Sequence, residues 1–598
     1  MVLPRPVTPD QPAFAMAVGP HGPLVRQERE GLIAVLTLDN PPLNCLAAAL
    51  RSELAAALRL ALDDRKVAAI VIMGAGRAFC GGAEIREFNT PLIHQQPRNR
   101  DISALIDAAA KPVVAAIGGL ALGGGLELAL SCHWRVASRN ARLGLPEVTL
   151  GLLPGNGGTQ RLPRAVGLAA AARMITGGQA VEAPSALAMG LVDALTDSDT
   201  LRAEAVALAR TKIHIDLRRL RDGTIPAHTD QRPVAEVFAG LLRDVQQFQP
   251  GLRAPLAAIE ALQAASSLPF EEGLAAEQAL CGVLLNGLQS RALRRAFFIE
   301  RGAAKSPGAM SASASAAVPT VVFLGGAPDG RCAELLSRNG VDWRVWESSA
   351  TGGTPSGAAR GAASPVLGVD LSLALSGEIG DDQLTACISR YASVQWPVLV
   401  LASDATLQHL TPRMPSLSRL IGMQSLAAHP PSGHVVWPTG HQMVQLVRLA
   451  HAADVTEPEA LASALALVRK LGLPVVVSGL VNGSSMATLG AIAFAEQRQA
   501  WQAEGATSTA IDAMLRRCGF AAGPGTRTAV AAPSDTDSRQ VNALISKLAA
   551  QAHSFVADEI AWRADDVDWL WIGGFGFPRH RGGPVFCAAH SGEDHGSR

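Results

Sequence analysis

A run of small, uncharged residues between Lys305 and Pro319, Ser-Pro-Gly-Ala-Met-Ser-Ala-Ser-Ala-Ser-Ala-Ala-Val, constrains this chain more than any other feature. It has almost no large apolar side chain to bury, so it cannot build a core and behaves as a flexible linker. The 598 residues must therefore fold as separate cores on either side of it. Size points the same way, because single cores stop growing near about 250–300 residues. Two or three domains are expected.

Before the linker, Leu32 to Leu38 reads as a strand, Asp39-Asn40-Pro41-Pro42 as a turn, and Leu50, Leu54, Leu58 and Leu62 as the apolar stripe of an amphipathic helix. Further strands are expected at Val67 to Met73 and Pro112 to Ile117. This alternation predicts a layered α/β architecture to about Ala194, followed by mostly helical chain from Ala203 to about Arg301. After the linker, Thr320 to Leu324 is an apolar strand entering a glycine turn and Val341 to Glu347 the next strand, as in a dinucleotide-binding βαβ unit. Ser348 to Ser364 and Ala521 to Asp537 read as loops, and Met486 to about Ala513 and Val541 to Arg563 as helices.

Lysine plus arginine equal aspartate plus glutamate at 52 each, so net charge recruits neither nucleic acid nor an anionic membrane, and a small-molecule substrate is expected. The eight cysteines form no C-x-x-C pair, and no histidine cluster has metal-ligand spacing; reduced packing cysteines and no metal are expected. Residues 1–20 are broken by Pro4, Pro6, Pro9 and Pro12 and read as a flexible leader rather than a signal peptide. The most apolar window, Pro112 to Leu130, carries Glu127 and a glycine run, which suits a buried strand-turn-helix better than a membrane span. A soluble, cytoplasmic protein is expected.

Three segments carry candidate chemistry: Gly74 to Ile85, Ala121 to Ala129 with its Gly123-Gly124-Gly125 run, and Leu145-Pro146-Glu147 leading to Pro154-Gly155-Asn156-Gly157-Gly158-Thr159-Gln160-Arg161. Taken singly, a glycine run after a strand is usually a tight turn, and a glutamate in a helix's first turn is usually solvated. Together they resemble the crotonase superfamily of enoyl-CoA hydratases and isomerases, nearly continuously from Leu32 to Ala194. The resemblance implies a spiral ββα fold and an oxyanion hole made by the backbone N–H groups of Ala83 and Gly124. It also implies two acid/base carboxylates, Glu127 and Glu147. Glycines here let the backbone approach a thioester oxygen, and the helix they open aims unpaired N–H groups at it. Adding water to a C=C bond needs a base and an acid, so both glutamates favour hydration, although fused members of the family often isomerise 3-enoyl-CoA to 2-enoyl-CoA as well. Gly-Gly-Ala-Glu replaces the family's commoner Ala-Gly-Ala-Asp around Ala83; the donor is backbone, so the change bears on loop positioning by Glu84.

Phe297-Phe298-Ile299-Glu300-Arg301, and later Gly574 to Arg579 with Arg581-Gly582-Gly583-Pro584, are similar to the multifunctional enzymes of fatty-acid β-oxidation, where a 3-hydroxyacyl-CoA dehydrogenase follows the hydratase. Against that family the second half departs at each working position. The nucleotide turn Gly325-Gly326-Ala327-Pro328-Asp329-Gly330 lacks the middle glycine, leaving Gly325, Gly330 and the acidic Glu347 as doubtful NAD contacts. The base histidine falls on Gln424 and its orienting glutamate on Arg448; Ser484-Ser485 and Ser403-Asp404-Ala405-Thr406 replace two further motifs. His429, His434 and His441 read as loop or surface histidines.

The expected organisation is a leader (1–20), a crotonase domain (21–275), a linker helix (276–304), the flexible linker (305–319), a degenerate Rossmann-like NAD-binding domain (320–485) and a shortened helical dehydrogenase C-terminal domain (486–598). The expected function is hydration of 2-enoyl-CoA, needing no cofactor, with an acyl-CoA thioester as substrate and, by the family, a thiolase as a partner. The alternatives are a bifunctional enzyme that keeps NAD-dependent dehydrogenation and a non-catalytic acyl-CoA-binding protein. Within the crotonase fold, isomerase or thioester hydrolase chemistry also stays open.

Overall fold

The computed structural model describes residues 22–226, 233–249 and 251–303, scattered stretches between 321 and 485, and residues 486–520, 533–558, 561 and 563–590. These form two compact units: the described residues up to Phe238 with Ala254–Leu285, and Ala239–Arg253 with the described residues from Asn286 onward.

The first unit begins with β1 (Val25–Glu30), β2 (Ile33–Leu38), α1 (Ala48–Asp63), β3 (Ala69–Gly74), β4 (Ala78–Cys80), α2 (Asn99–Asp107), β5 (Val113–Ile117), β6 (Leu120–Leu122) and α3 (Gly124–Ser131). It continues with β7 (Trp134–Ser138), β8 (Arg142–Gly144), α4 (Gly158–Val166), α5 (Leu168–Gly177), β9 (Val181–Glu182), α6 (Ala183–Ala188), β10 (Ala194–Thr196) and α7 (Leu201–Thr211). The strands divide into two sheets, β1-β2-β3-β5-β7-β10 and β4-β6-β8-β9. Each of three successive passes, β3–β4, β5–β6 and β7–β8, gives one strand to each sheet before the chain turns into other structure. That is a crotonase-like spiral. The larger sheet is parallel except for β1, which runs antiparallel to β2.

Strand period and helix period meet in the core. Alternate residues Ile33 and Val35, Ala69 and Val71, Val114 and Ala116, and Trp134 and Val136 present one sheet face to Leu201, Ala205, Val206 and Ala209 of α7. On α1, Leu50, Leu54 and Leu58 are buried, as their spacing predicts, with α1 packed against β1 and β2.

The smaller sheet places the site. Ala78 pairs with Leu120, Cys80 with Ala121 and Leu122 with Gly144, all parallel, so β4, β6 and β8 end side by side. The three motif segments leave from those carboxyl ends, where parallel sheets expose the loops that bind ligands. Gly119, which carries the chain from β5 to β6, has φ +65° and would put a Cβ 2.1 Å from the Arg77 carbonyl oxygen, so no side chain fits there.

Helices α8 (Val234–Phe248), α9 (Arg253–Ser267), α10 (Phe270–Asn286) and α11 (Leu288–Ala303) follow, in keeping with the helical reading of this stretch. Residues to Leu285 belong to the first compact unit, so most of α10 packs there.

In the second unit, β11 (Val321–Leu324), β12 (Trp343–Trp346), β13 (Val366–Asp370), β14 (Val398–Leu401), β15 (Leu420–Leu426), β16 (Met443–Arg448) and β17 (Val475–Ser478) form a sheet of order β12-β11-β13-β14-β15-β16-β17. Only the β15–β16 pairing is antiparallel. A small hairpin, β18 (Leu480–Val481) with β19 (Ser484–Ser485), leads into a helical region. That region comprises α12 (Met486–Ala503), α13 (Ser508–Arg517), α14 (Asp535–Ala557), α15 (Ala564–Trp569) and α16 (Pro584–Ala589). These helices enclose a core of Trp501, Leu544, Leu548, Phe555 and Trp571 among others. One element starts earlier than the sequence suggests: α14 begins at Asp535, inside the stretch expected to be loop. Ser534 Oγ accepts from Asp537 N–H at 3.1 Å while Asp537 accepts from Ser534 N–H at 2.9 Å, a capping box that opens the helix ahead of its first apolar residue.

Among the described residues, no helix is long and apolar enough to cross a membrane.

Candidate active site

The Gly81–Ala83 loop is held from behind. Gly81 N–H donates to the Leu43 carbonyl at 2.7 Å and Leu46 N–H to the Gly82 carbonyl at 2.8 Å, tying Gly81–Ala83 to the segment after β2. Asn44, buried and at φ +55°, donates from Nδ2 to the Ala78 carbonyl at 2.7 Å and the Ala75 carbonyl at 2.9 Å. Gly82 has φ +101°, and a Cβ on it would stand 2.8 Å from the Leu122 carbonyl oxygen and 3.4 Å from Gly124 N. A Cβ on Gly124 would likewise stand 3.4 Å from Ala83 N. The two loops thus face each other across a gap that only glycine keeps open. Gly124 is the first residue of α3, where an N–H has no intrahelical partner. Among the described residues, neither Ala83 N–H nor Gly124 N–H donates to any group. Glu84, the departure from the family pattern, accepts from Arg86 N–H at 3.1 Å and caps the short turn Ile85–Glu87.

Glu127 stands one turn into α3 and is 1% exposed. Its Oε1 accepts from Asn156 N–H at 2.8 Å and Gly158 N–H at 2.9 Å, and its Oε2 from Asn156 Nδ2 at 2.9 Å. Burial raises its pKa, and the three donors and the Arg161 charge pull against that rise. Glu147 is placed differently. It follows β8 and Pro146, its Oε1 would lie 3.0 Å from a Cβ on Gly123, and its buried Oε2 has no hydrogen-bond partner. Burial first, and then the nearby Glu127 charge, hold its pKa well above the usual carboxylate range. With fewer donors and a like charge beside it, Glu147 keeps its proton to higher pH than Glu127.

Of the residues singled out from sequence, Ala83, Gly124, Glu127 and Glu147 therefore converge on one site at the ends of β4, β6 and β8. Asn156 was legible only as part of a glycine-rich loop, yet it gives Glu127 two of its three donors. Glu277, on α10, had no motif signal. It is fully buried and accepts from Gly157 N–H at 2.6 Å, Thr159 N–H at 2.9 Å and Thr159 Oγ1 at 2.6 Å.

In the second unit, Gln424 lies in β15 opposite Gln445 of β16, and Arg448 lies opposite Ile421, so the two positions are not register partners. Gly325, Gly330 and Glu347, together with His429, His434 and His441, lie outside the described residues.

Residues 28–222 match the family model described as enoyl-CoA hydratase/isomerase, and this stretch is a domain of that class. Among individual proteins, the chain is 45% identical over 274 residues to the peroxisomal bifunctional enzyme of Danio rerio, covering 46% of this chain and 37% of the relative. It is 37% identical over 287 residues to the glyoxysomal fatty acid beta-oxidation multifunctional protein MFP-a of Brassica napus, covering 46% and 39% respectively. A probable enoyl-CoA hydratase of Bacillus subtilis (strain 168) is 45% identical over 165 residues, 27% of this chain and 64% of the relative. The chain matches less than half the length of the two larger relatives. Their names are peroxisomal and glyoxysomal, so the cytoplasmic location expected from sequence finds no support in them.

Proposed function

We propose that the first unit hydrates 2-enoyl-CoA to 3-hydroxyacyl-CoA, a step of fatty-acid β-oxidation. The observation that carries this reading is the unequal carboxylate pair beside two unused N–H groups. Glu127, held by three donors, is the base that takes a proton from water as its oxygen adds to C3. Glu147, kept protonated by burial and by its neighbour, delivers a proton to C2. Between those events the thioester oxygen carries negative charge, and Ala83 N–H and Gly124 N–H stabilise it; such a donor is worth about 10²–10³ in rate. Water is thus added whole, OH to C3 and H to C2, with no cofactor. The same acid and enolate site can return a proton elsewhere on a 3-enoyl-CoA, which is the isomerisation seen in this class.

For the second unit, a Rossmann-like reading is supported by its mostly parallel sheet with β11 inside it. We infer that it no longer dehydrogenates. Gln424 carries an amide that takes no proton from a 3-hydroxyl, and Arg448 is a cation where the family orients its base with a carboxylate. The residues do not fit NAD-dependent oxidation, and this unit serves as scaffold or acyl-CoA contact. Purified protein given 2-enoyl-CoA with and without NAD is expected to hydrate it equally in both cases and to form no NADH. NADH formation would restore the bifunctional reading, and isomerised or hydrolysed product without hydration would replace the hydratase reading.

A further inference from the structure

The loop that opens α4 serves two buried carboxylates at once. Asn156 N–H and Gly158 N–H turn to Glu127, whereas the alternate Gly157 N–H and Thr159 N–H turn to Glu277. The alternation is set by Gly157 in the left-handed region just ahead of α4, at a helix N-terminus that collects unpaired N–H groups. Room is tight throughout. Gly157 has φ +92°, a Cβ on Gly158 would stand 2.8 Å from Glu127 Oε1, and a Cβ on Gly273 of α10 would stand 2.2 Å from Gln160 Oε1. Gly273 and Glu277 lie one helical turn apart on α10, so the close approach at Gly273 is what lets Glu277 reach the loop.

We propose that Glu277 is a positioning residue for Glu127: anchoring Gly157 and Thr159, it fixes the intervening amides on the Glu127 carboxylate. The inference rests on the reading of Glu127 as the base. Its consequence is that the hydratase site is completed by a helix beyond residues 28–222, the part matched by the hydratase/isomerase family. The ionisable groups that sense Glu277 are Glu127, Glu147 and, one turn further along α10, Cys281. Thr159 Oγ1 also accepts from Gln160 Nε2 at 2.9 Å, so the anchor is itself braced.

The test uses the whole 598-residue chain. Glu277→Ala is expected to lower kcat about 10²-fold with little change in KM, the size of loss that a misplacement of about 1 Å produces. Glu277→Gln, the same size, recovers part of that loss, and Thr159→Val, which removes one anchoring bond, costs less than either. In both Glu277 variants the acid limb of the pH–rate profile moves upward, because a Glu127 with looser donors holds its proton to higher pH. Glu127 is also titrated directly in substrate-free protein, by the infrared carboxyl band that Glu127→Gln abolishes. Folded Glu277→Gln with wild-type kcat and an unmoved Glu127 titration would overturn the proposal. So would a loss of rate with that titration unmoved, since it marks a merely structural role. If Glu277→Ala fails to fold, the isosteric variant decides. If the wild type hydrates no enoyl-CoA, the hydratase reading fails by itself, and the infrared titration still decides Glu277.

Discussion

Two buried carboxylates, Glu127 in the first unit and Asp568 in the helical region of the second, are held by similar hardware to different ends. Asp568 is fully buried on α15; it accepts from Val585 N–H at 2.7 Å and pairs with Arg295 at 2.9 Å. Burial lifts its pKa to about 7 against that pairing. Every feature around it compensates its charge, and a Cβ on Gly583 would stand only 2.3 Å from Asp568 Oδ1, so the loop closes over it. Glu127 also has amide donors, but its neighbour across the gap is another acid, Glu147, with an oxygen buried and unpartnered. Asp568 is given a counter-ion, whereas the pair proposed to move protons is left with a like charge and an unused oxygen.

The largest effect expected from that contrast is at the glutamate pair. Glu127→Gln and Glu147→Gln should each lower the hydration rate by about 10²–10⁴-fold while leaving the unfolding midpoint near that of the wild type. A variant that keeps its rate would take its residue out of the acid/base pair. Next comes Gly123→Ala, which forces a side chain into φ +53° and a methyl 3.0 Å from Glu147 Oε1. Steady-state kinetics should show a loss of about 10²-fold, because both Glu147 and the adjoining Gly124 N–H are displaced.

Asp568→Ala should act on stability instead. It leaves the Val585 and Phe586 amides without their acceptor, while Arg295 keeps its second carboxylate, Asp565 at 2.8 Å, and denaturant unfolding of the second unit should lose about 1–3 kcal/mol with hydration retained. The smallest effect is its pH dependence. Folded Asp568 binds its proton up to about pH 7, whereas the unfolded chain releases it near the ordinary 3.8. The folded state therefore holds more protons between those values, and this residue's contribution to stability falls as pH rises through that window. Asp568→Asn should flatten the slope; an unchanged slope would mean that Asp568 stays ionised.

How far the site was legible in sequence follows from what kind of signal each residue leaves. Ala83, Gly124, Glu127 and Glu147 sit in glycine- and proline-marked turns at strand ends, and turn chemistry is local. Helix α1 was legible because its leucines repeat with the helical period. The start of α14 was not, because Ser534 and Asp537 precede any apolar periodicity and cap through two side chains.

Whereas the two compact units divide near Leu285, ahead of the expected linker, the sequence by itself determined the α/β class of the first unit and the identity of the groups able to make an oxyanion hole and an acid/base pair. Those depend on composition, period and turn residues, which neighbours along the chain specify. Only the tertiary structure decided that β4, β6 and β8 end together, that Asn156 and Gly158 grip Glu127, and that Glu277 on a distant helix grips the amides between. A buried carboxylate draws its donors and its pKa from groups scores of residues away, and no local pattern encodes which ones they are.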